Sequence, residues 1–149
     1  MSDTMPAPTP TTTTDPLTIY VAGSSAEREE IAAFIKVLGE YGYTVTHDWT
    51  DESIWYRPAE AYTDEFLTEC AKTDLDAVRR AAVVWYLVPH EGKSEGAAVE
   101  LGADLALGKE TVVSGHGDPP RIFLRLAESR YHLHAAALEY LRMRAKVWL

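Results

Sequence analysis

The sequence predicts an α/β fold, a Rossmann-like or flavodoxin-like parallel sheet of about five strands with helices on both faces. Short apolar segments alternate with longer segments of helical periodicity, which is typical of parallel strands joined by helical crossovers. One segment, AAVVWYLVP at residues 81–89, is continuously apolar, as expected of a central strand covered on both faces. With 149 residues, 46% of them hydrophobic, the chain is long enough for one domain with a substantial core.

The first two predicted elements are a strand and a helix. Residues 17–23 (LTIYVAG) form an apolar, β-branched run that stops at its glycine. The next segment, residues 26–43, carries acidic residues in its first turn, and Ser24 or Ser25 is the expected N-cap. Its large apolar residues recur at helical spacing: Ile31, Phe34, Ile35 and Leu38. The helix is expected to end near Gly39.

The middle of the chain predicts a second strand, a loop and a second helix before the central strand. Residues 43–49 (YTVTHDW) form a short strand, and residues 50–58 (TDESIWYRP) form a polar loop rich in aromatic side chains. Residues 59–80 have helical periodicity. The candidate buried positions of this helix are Ala61, Phe66, Leu67, Ala71, Leu75 and Val78.

The last third of the chain predicts two further strands and two helices. A helix begins after Ser94, and residues 110–115 (ETVVSG) form the fourth strand. Residues 121–149 then predict a turn of helix, a short edge strand near Tyr131 and a final helix. No internal repeat is visible in the sequence.

Composition excludes several classes of protein. The net charge of −9 and the pI of about 4.9 disfavour a nucleic-acid-binding surface. The single cysteine, Cys70, cannot form an internal disulfide, and it is expected to be a packed thiol. No apolar run is long enough for a membrane span or a signal peptide, so we expect a cytoplasmic protein. Residues 1–16 are rich in proline and threonine and predict a flexible tail before one domain at residues 17–149.

In parallel sheets of this kind, ligands bind beyond the carboxyl ends of the strands. The loops that follow the first three strands are therefore the candidate binding loops. In the first loop, Gly23 and Ser24 open a helix whose free N–H groups, with Arg28, are suited to an anion. The same residues are equally typical of a tight turn followed by an ordinary N-cap.

The loop after the second strand contains His47, Asp48 and Trp49. Its spacing of His and acidic residues matches no established metal-ligand pattern, so we predict no metal there. Aromatic side chains in this position either stack on a planar ligand, such as a nucleobase, or close the core.

The loop after the central strand is the best candidate for an anion site. Ser94 is a natural N-cap, and Gly96 allows a ligand to approach the positive end of the helix. Glu100 lies six positions after Ser94 and would project into the same crevice if the apolar side of the helix faces the sheet. A solvated surface glutamate is the alternative interpretation.

Three segments resemble the nucleoside 2-deoxyribosyltransferase-like superfamily, and within it the 2'-deoxynucleoside 5'-monophosphate N-glycosidases. They are IYVAGSSAER (residues 19–28), DAVRRAAVVWYLV (residues 76–88) and KSEGAAVELGADLALGKETVV (residues 93–113). The Glu-Leu-Gly element and the Gly-Lys that follows it are the most specific part of this resemblance. The region after Ser114 matches only loosely.

The resemblance implies a set of roles for the residues that match. Glu100 would be the nucleophile, and Asp76, which lies 24 positions earlier, would orient the sugar or protonate the leaving base. Ser24 and Ser94 would contact a 5'-phosphate, and Tyr20 would stack on the base. The resemblance also implies that no cofactor or metal is needed, and that two copies of the chain form a homodimer and share the pocket.

Two positions depart from the family pattern. The arginine expected two places after Ser24 is Ala26, so Arg28 is an uncertain substitute. The acidic residue usual in the central strand is replaced by apolar residues. Because this arginine is missing, a further interpretation is a protein that still binds a nucleotide but no longer catalyses a reaction.

The resemblance therefore implies hydrolysis of the N-glycosidic bond of a nucleoside or deoxynucleoside 5'-monophosphate through a covalent glycosyl-Glu100 intermediate. Base exchange between free deoxyribonucleosides is the alternative within the same class, although the transferases tend to carry an aspartate where Ser94 stands. A Toll/interleukin-receptor-like NAD-cleaving domain is the alternative outside it, but that class leaves the Glu-Leu-Gly helix unexplained.

Overall fold

A computed structural model describes residues 14–91, 94–116 and 122–149. Most of the predicted N-terminal tail, residues 1–13, therefore lies outside the described residues. None of the described helices is long and apolar enough to cross a membrane.

Five parallel strands form one sheet in the described part of the chain, in the order β2-β1-β3-β4-β5. The strands are β1 (Thr18–Ala22), β2 (Thr44–Val45), β3 (Val83–Leu87), β4 (Glu110–Ser114) and β5 (Ser129–Tyr131). This is the strand order of flavodoxin-like folds, so the predicted fold class is confirmed.

Helices cover both faces of this sheet. They are α1 (Arg28–Glu40), α2 (Glu52–Trp55), α3 (Asp64–Arg80), α4 (Glu95–Ala106) and α5 (His134–Trp148). The helices α3 and α4 pack against each other, and so do α1 and α5. Right-handed crossovers explain this division, because the chain moves in one direction along the sheet from β1 to β2 and in the other from β2 to β5.

The core follows the central strand. Every residue of β3 is buried, because the strand has neighbours on both sides and helices on both faces. Its largest side chain, Trp85, satisfies its indole N–H by donating to Ser114 Oγ of β4 at 2.8 Å. Because the buried indole N–H has this acceptor, the fold avoids the free-energy cost of a buried donor without a hydrogen bond.

The second strand is shorter than predicted. Only Thr44 and Val45 pair with β1, instead of residues 43–49. The chain then turns inward, and the Trp49 indole N–H donates to the carbonyl of Val21 at 2.7 Å. The rest of the predicted strand thus becomes a loop beyond the end of β1.

The predicted helix at residues 59–80 is divided. A short 3-10 turn at Ala59–Ala61 is followed by α3, whose N-cap Thr63 accepts from the Phe66 N–H at 3.1 Å. Most positions expected to be buried are not, and Leu67 is 51% exposed. The physical reason is that only the C-terminal end of α3, with Ala77 and Val78, packs fully into the core.

Candidate functional site

A cavity of about 520 Å³ opens at the carboxyl ends of the strands, next to α3 and α4. The three loops expected from the sequence all contribute to it, together with α2 and α3. The lining residues are Gly23, Ser24, Ser25, His47, Trp49, Ile54, Trp55, Tyr62, Phe66, Leu67, Cys70, Asp74, Ser94, Glu95, Gly96, Ala97 and Glu100.

Glu100 lies in the second turn of α4 and lines this cavity. Burial raises the pKa of its carboxyl to about 8, an interaction with the Tyr20 hydroxyl lowers it, and the nearby Asp74 carboxylate raises it. The solvated surface position is therefore excluded by the geometry. A carboxyl with such a pKa exchanges its proton near neutral pH, which is frequent at catalytic sites.

Tyr20 supports Glu100 from β1. Its side chain is fully buried and does not line the cavity, so it is not placed to stack on a ligand there. Burial, followed by the charges of Glu100 and Asp74, raises the pKa of its hydroxyl. Among the described residues, that hydroxyl has no hydrogen bond of regular geometry. The base-stacking role implied by the resemblance is thus replaced by contact with the carboxylate.

The second carboxylate of the cavity is Asp74 and not Asp76. Asp76 is exposed and forms ion pairs with Arg79 at 3.4 Å and with Arg80 at 2.9 Å. Two residues along a helix turn the side chain by about 200°, so Asp74 and Asp76 cannot share one face of α3. Burial raises the pKa of Asp74, and His47, whose Nε2 is 3.6 Å away, lowers it.

The N-terminus of α4 forms one end of the cavity. Ser94 is the N-cap, as predicted, and its Oγ accepts from the Ala97 N–H at 3.3 Å. A side chain added at Gly96 would meet no atom within 4 Å, so the space in front of this turn is open to a ligand. Backbone N–H groups at such a terminus favour an anion.

The first loop approaches the cavity from β1. Gly23 and Ser24 line it, and a Cβ at Gly23 would lie 2.5 Å from the Cδ1 of Ile31, which explains the glycine. Arg28 is not a lining residue. Its guanidinium lies over the Trp55 ring, 5.4 Å from the ring centre, and so it holds a lining aromatic residue in place.

The second loop contributes two of its three predicted residues. His47 and Trp49 line the cavity, although Trp49 is mostly buried and also closes the core. Asp48 is exposed and not among the lining residues. Its carboxylate accepts from the N–H and the hydroxyl of Thr50, so it stabilises the turn.

One wall of the cavity is formed by α2, by α3 and by the turn between them. Its residues are Trp55, Tyr62, Phe66, Leu67, Cys70 and Asp74. The aromatic loop that contains Trp55 was expected near a ligand, whereas the other residues of this wall were not predicted from the sequence. Cys70 lines the cavity instead of being packed in the core, and burial raises the pKa of its thiol. The helical spacing of Leu67, Cys70 and Asp74 is the signal that would have found this wall, since an apolar stripe ending in a carboxylate suits a cavity better than a core.

Solved structures share this fold. No family model and no curated protein sequence matches the chain. A 2-deoxyribosyltransferase from the psychrotolerant bacterium Bacillus psychrosaccharolyticus matches with a TM-score of 0.65 and 19% identity, over 83% of this chain and 91% of that chain. The CMP N-glycosidase BcmB of Clostridium botulinum matches with a TM-score of 0.53 and 20% identity, over 85% and 96% of the two chains. This chain therefore shares its fold with a 2-deoxyribosyltransferase and a CMP N-glycosidase.

Proposed function

We propose that this protein is an enzyme that hydrolyses the N-glycosidic bond of a nucleoside 5'-monophosphate. The observation that carries the proposal is the pair of carboxyls, Glu100 and Asp74, that line one cavity and whose pKa values are both raised by burial. The anion-binding end of α4 completes the same cavity. Two enzymes of N-glycosidic bonds share the fold, which supports this chemistry.

The reaction proceeds in two steps in this proposal. Ionised Glu100 attacks C1' of the sugar through an oxocarbenium-like transition state, the bond from C1' to the base nitrogen breaks, and a glycosyl ester of Glu100 forms. Water then attacks C1' and gives its proton to the Asp74 carboxylate left by the first step, which releases the sugar 5-phosphate and free Glu100. Asp74 replaces Asp76 in the supporting role, because a protonated Asp74 supplies a proton to the departing base.

The phosphate is assigned to the N-terminus of α4 and to the first loop. The free N–H groups of this terminus, Ser94 and the open space at Gly96 offer hydrogen bonds and a favourable dipole to a dianion. Ser24 lines the same cavity and offers a second hydroxyl.

The base is assigned to the aromatic wall. Trp55, Tyr62 and Phe66 line the cavity, and their rings provide flat apolar surface for a nucleobase. His47 lies beside Asp74 and offers a ring nitrogen to the edge of the base.

The proposal is tested by incubation with a panel of ribo- and deoxyribonucleoside monophosphates and measurement of the free base. We expect Glu100→Gln to lower kcat by about 10³-fold or more, since the nucleophile is removed. Asp74→Asn should lower kcat by about 10²-fold. Asp76→Asn is the matched control and should retain full activity. The proposal fails if no substrate is cleaved, or if Glu100→Gln cleaves as well as the natural chain.

Base exchange is the second candidate, because a covalent intermediate can be captured by a base as well as by water, and one structural neighbour is a 2-deoxyribosyltransferase. The same incubation with an added acceptor base separates the two activities. Formation of the new N-glycoside in place of free sugar phosphate identifies transfer.

A further inference from the structure

Three potential metal ligands meet outside the cavity, at the carboxyl edge of the sheet. Glu30 belongs to α1, His90 follows β3, and His134 is the first residue of α5; one ligand atom of each lies within 4.8 Å of the other two. Because α1 and α5 pack on the face opposite α3 and α4, this group is separate from the Glu100 cavity, and none of the three residues lines that cavity.

The distance between the ligand atoms of His90 and Glu30 suits a small tetrahedral cation. His90 Nε2 lies 3.4 Å from Glu30 Oε2 and 3.7 Å from Glu27 Oε1. A zinc ion with bonds of about 2.0–2.1 Å separates its ligand atoms by about 3.3–3.4 Å. Glu27 is held beside the group, since its Oε1 also accepts from the His90 backbone N–H at 2.6 Å. Glu27 thus holds the backbone of His90 in place, and the three ligands within reach of one ion are Glu30, His90 and His134.

His134 is held in the way that metal-binding histidines usually are. Its Nδ1 lies 2.6 Å from Ser114 Oγ, and the same oxygen accepts from the indole of Trp85 in the core. An oxygen partner on one ring nitrogen fixes the ring and leaves the other nitrogen, Nε2, for a metal. Ion pairs alone account for His90 and the two glutamates, but they do not explain why His134 joins the group.

We propose that Glu30, His90 and His134 bind a divalent transition metal of the zinc class. Imidazole nitrogen together with carboxylate oxygen suits zinc, whereas calcium and magnesium prefer oxygen ligands alone. The ion would connect the segments that follow β1, β3 and β5, which are distant in sequence. It stabilises the fold by binding only the folded chain, and it takes no part in the glycosidic chemistry.

The test is a titration of the full chain, treated with a chelator and dialysed, with zinc chloride in a calorimeter. We expect one equivalent of zinc to bind and to raise Tm, and cobalt(II) chloride to give the visible absorption of tetrahedral coordination. His90→Ala and Glu30→Gln should each lower zinc affinity at least tenfold and remove the shift in Tm. Both side chains are well exposed, at 62% and 44%, so neither variant should unfold the chain.

The matched control is His132→Ala. His132 stacks on His116 outside the group, with ring centres 5.4 Å apart, so its removal should leave zinc affinity unchanged. The proposal is overturned if the natural chain binds no stoichiometric zinc, if His90→Ala and Glu30→Gln bind as tightly as the natural chain, or if His132→Ala alone abolishes binding. Because these outcomes do not depend on cleavage of a nucleotide, they are independent of the proposed function.

Discussion

At the scale of single residues, the environment of Glu100 determines what this carboxyl can do. Burial raises its pKa to about 8, so only a minority of molecules carry the ionised form at pH 7. A nucleophile must be ionised, and Tyr20 and Asp74 act on this equilibrium in opposite directions. Burial makes the largest contribution to this pKa, and the two neighbours then adjust the ionised fraction of Glu100.

We expect Tyr20→Phe to raise the Glu100 pKa further, because it removes the interaction that favours the charged form. Asp74→Asn should lower that pKa, because it removes a nearby negative charge. Carbon-13 NMR titration of the glutamate carboxyls measures both shifts, and Glu100→Gln assigns the signal. If both variants shift the Glu100 pKa in the same direction, Tyr20 and Asp74 do not have the opposite effects assigned to them here.

The pH dependence of the reaction follows from the same pKa. The proposed reaction needs Glu100 ionised and Asp74 protonated, so kcat/KM should pass through a maximum with pH, and one limb of the profile should follow the Glu100 pKa of about 8. In Tyr20→Phe that limb should move to higher pH, since the Glu100 carboxyl of the free protein is harder to ionise. Initial rates at subsaturating nucleotide between pH 5 and 9 test this. If the pH profile is the same in Tyr20→Phe, the group whose ionisation controls the rate is not Glu100.

At the scale of single elements, α4 is fixed at both ends by polar side chains. Its N-terminus is capped by Ser94, and near its C-terminus the buried Asp104 accepts from the Thr111 hydroxyl at 2.5 Å. Burial raises the pKa of Asp104 to about 7, the Thr111 hydrogen bond and Lys109 lower it, and its second oxygen has no partner among the described residues. The helix that carries Glu100 is thus tied to β4.

Removal of the Ser94 cap should separate stability from phosphate binding. Ser94→Ala is expected to lower the free energy of unfolding by about 1 kcal/mol, as other N-cap truncations do. It should also raise KM for a monophosphate while changing kcat little. Thr63→Ala removes the matched cap of α3 and should give a similar loss of stability with an unchanged KM. Equal effects of both variants on KM would show that Ser94 acts only through the helix.

Asp104 makes stability depend on pH. The folded chain holds this proton up to about pH 7, whereas an unfolded aspartate loses it near its ordinary pKa of 3.8. The unfolded state therefore binds fewer protons between these values, and the contribution of Asp104 to stability falls as pH rises from about 4 to 7. Asp104→Asn should gain about 2–3 kcal/mol relative to the natural chain between pH 5 and pH 8. Urea unfolding at the two pH values measures the difference, and a constant difference would contradict it.

At the scale of the whole molecule, the sequence predicted the architecture and part of the candidate site. Apolar periodicity and the continuous apolar run at residues 81–89 predicted the fold class, because a buried central strand has a clear sequence pattern. Helical periodicity left the position of Glu100 open, and the family resemblance singled out Glu100 and Ser94. One helix fixes their positions relative to Gly96, so all three line the same cavity. Asp74 was not found, because which face of α3 lines a cavity depends on how that helix packs against α4, and periodicity does not encode this.

The exposed apolar side chains predict how copies of the chain associate. Leu75 is 37% exposed and Leu67 51% exposed on α3, and Val99 is 59% exposed on α4. Apolar side chains grouped beside a binding cavity mark interaction surfaces, and a symmetric pair of chains covers the same surface on each copy. The homodimer expected from the sequence would place its contact here.

We therefore expect the natural chain to sediment as a dimer and Leu75→Glu to sediment as a monomer. The reason is that a glutamate buried in the contact without a partner costs several kcal/mol. Val147→Glu is the control. Its side chain is 77% exposed on α5, on the opposite face of the sheet, so the variant should remain dimeric. Analytical ultracentrifugation at several concentrations measures both. The dimer contact does not lie on α3 and α4 if the natural chain is a monomer, or if only Val147→Glu causes dissociation.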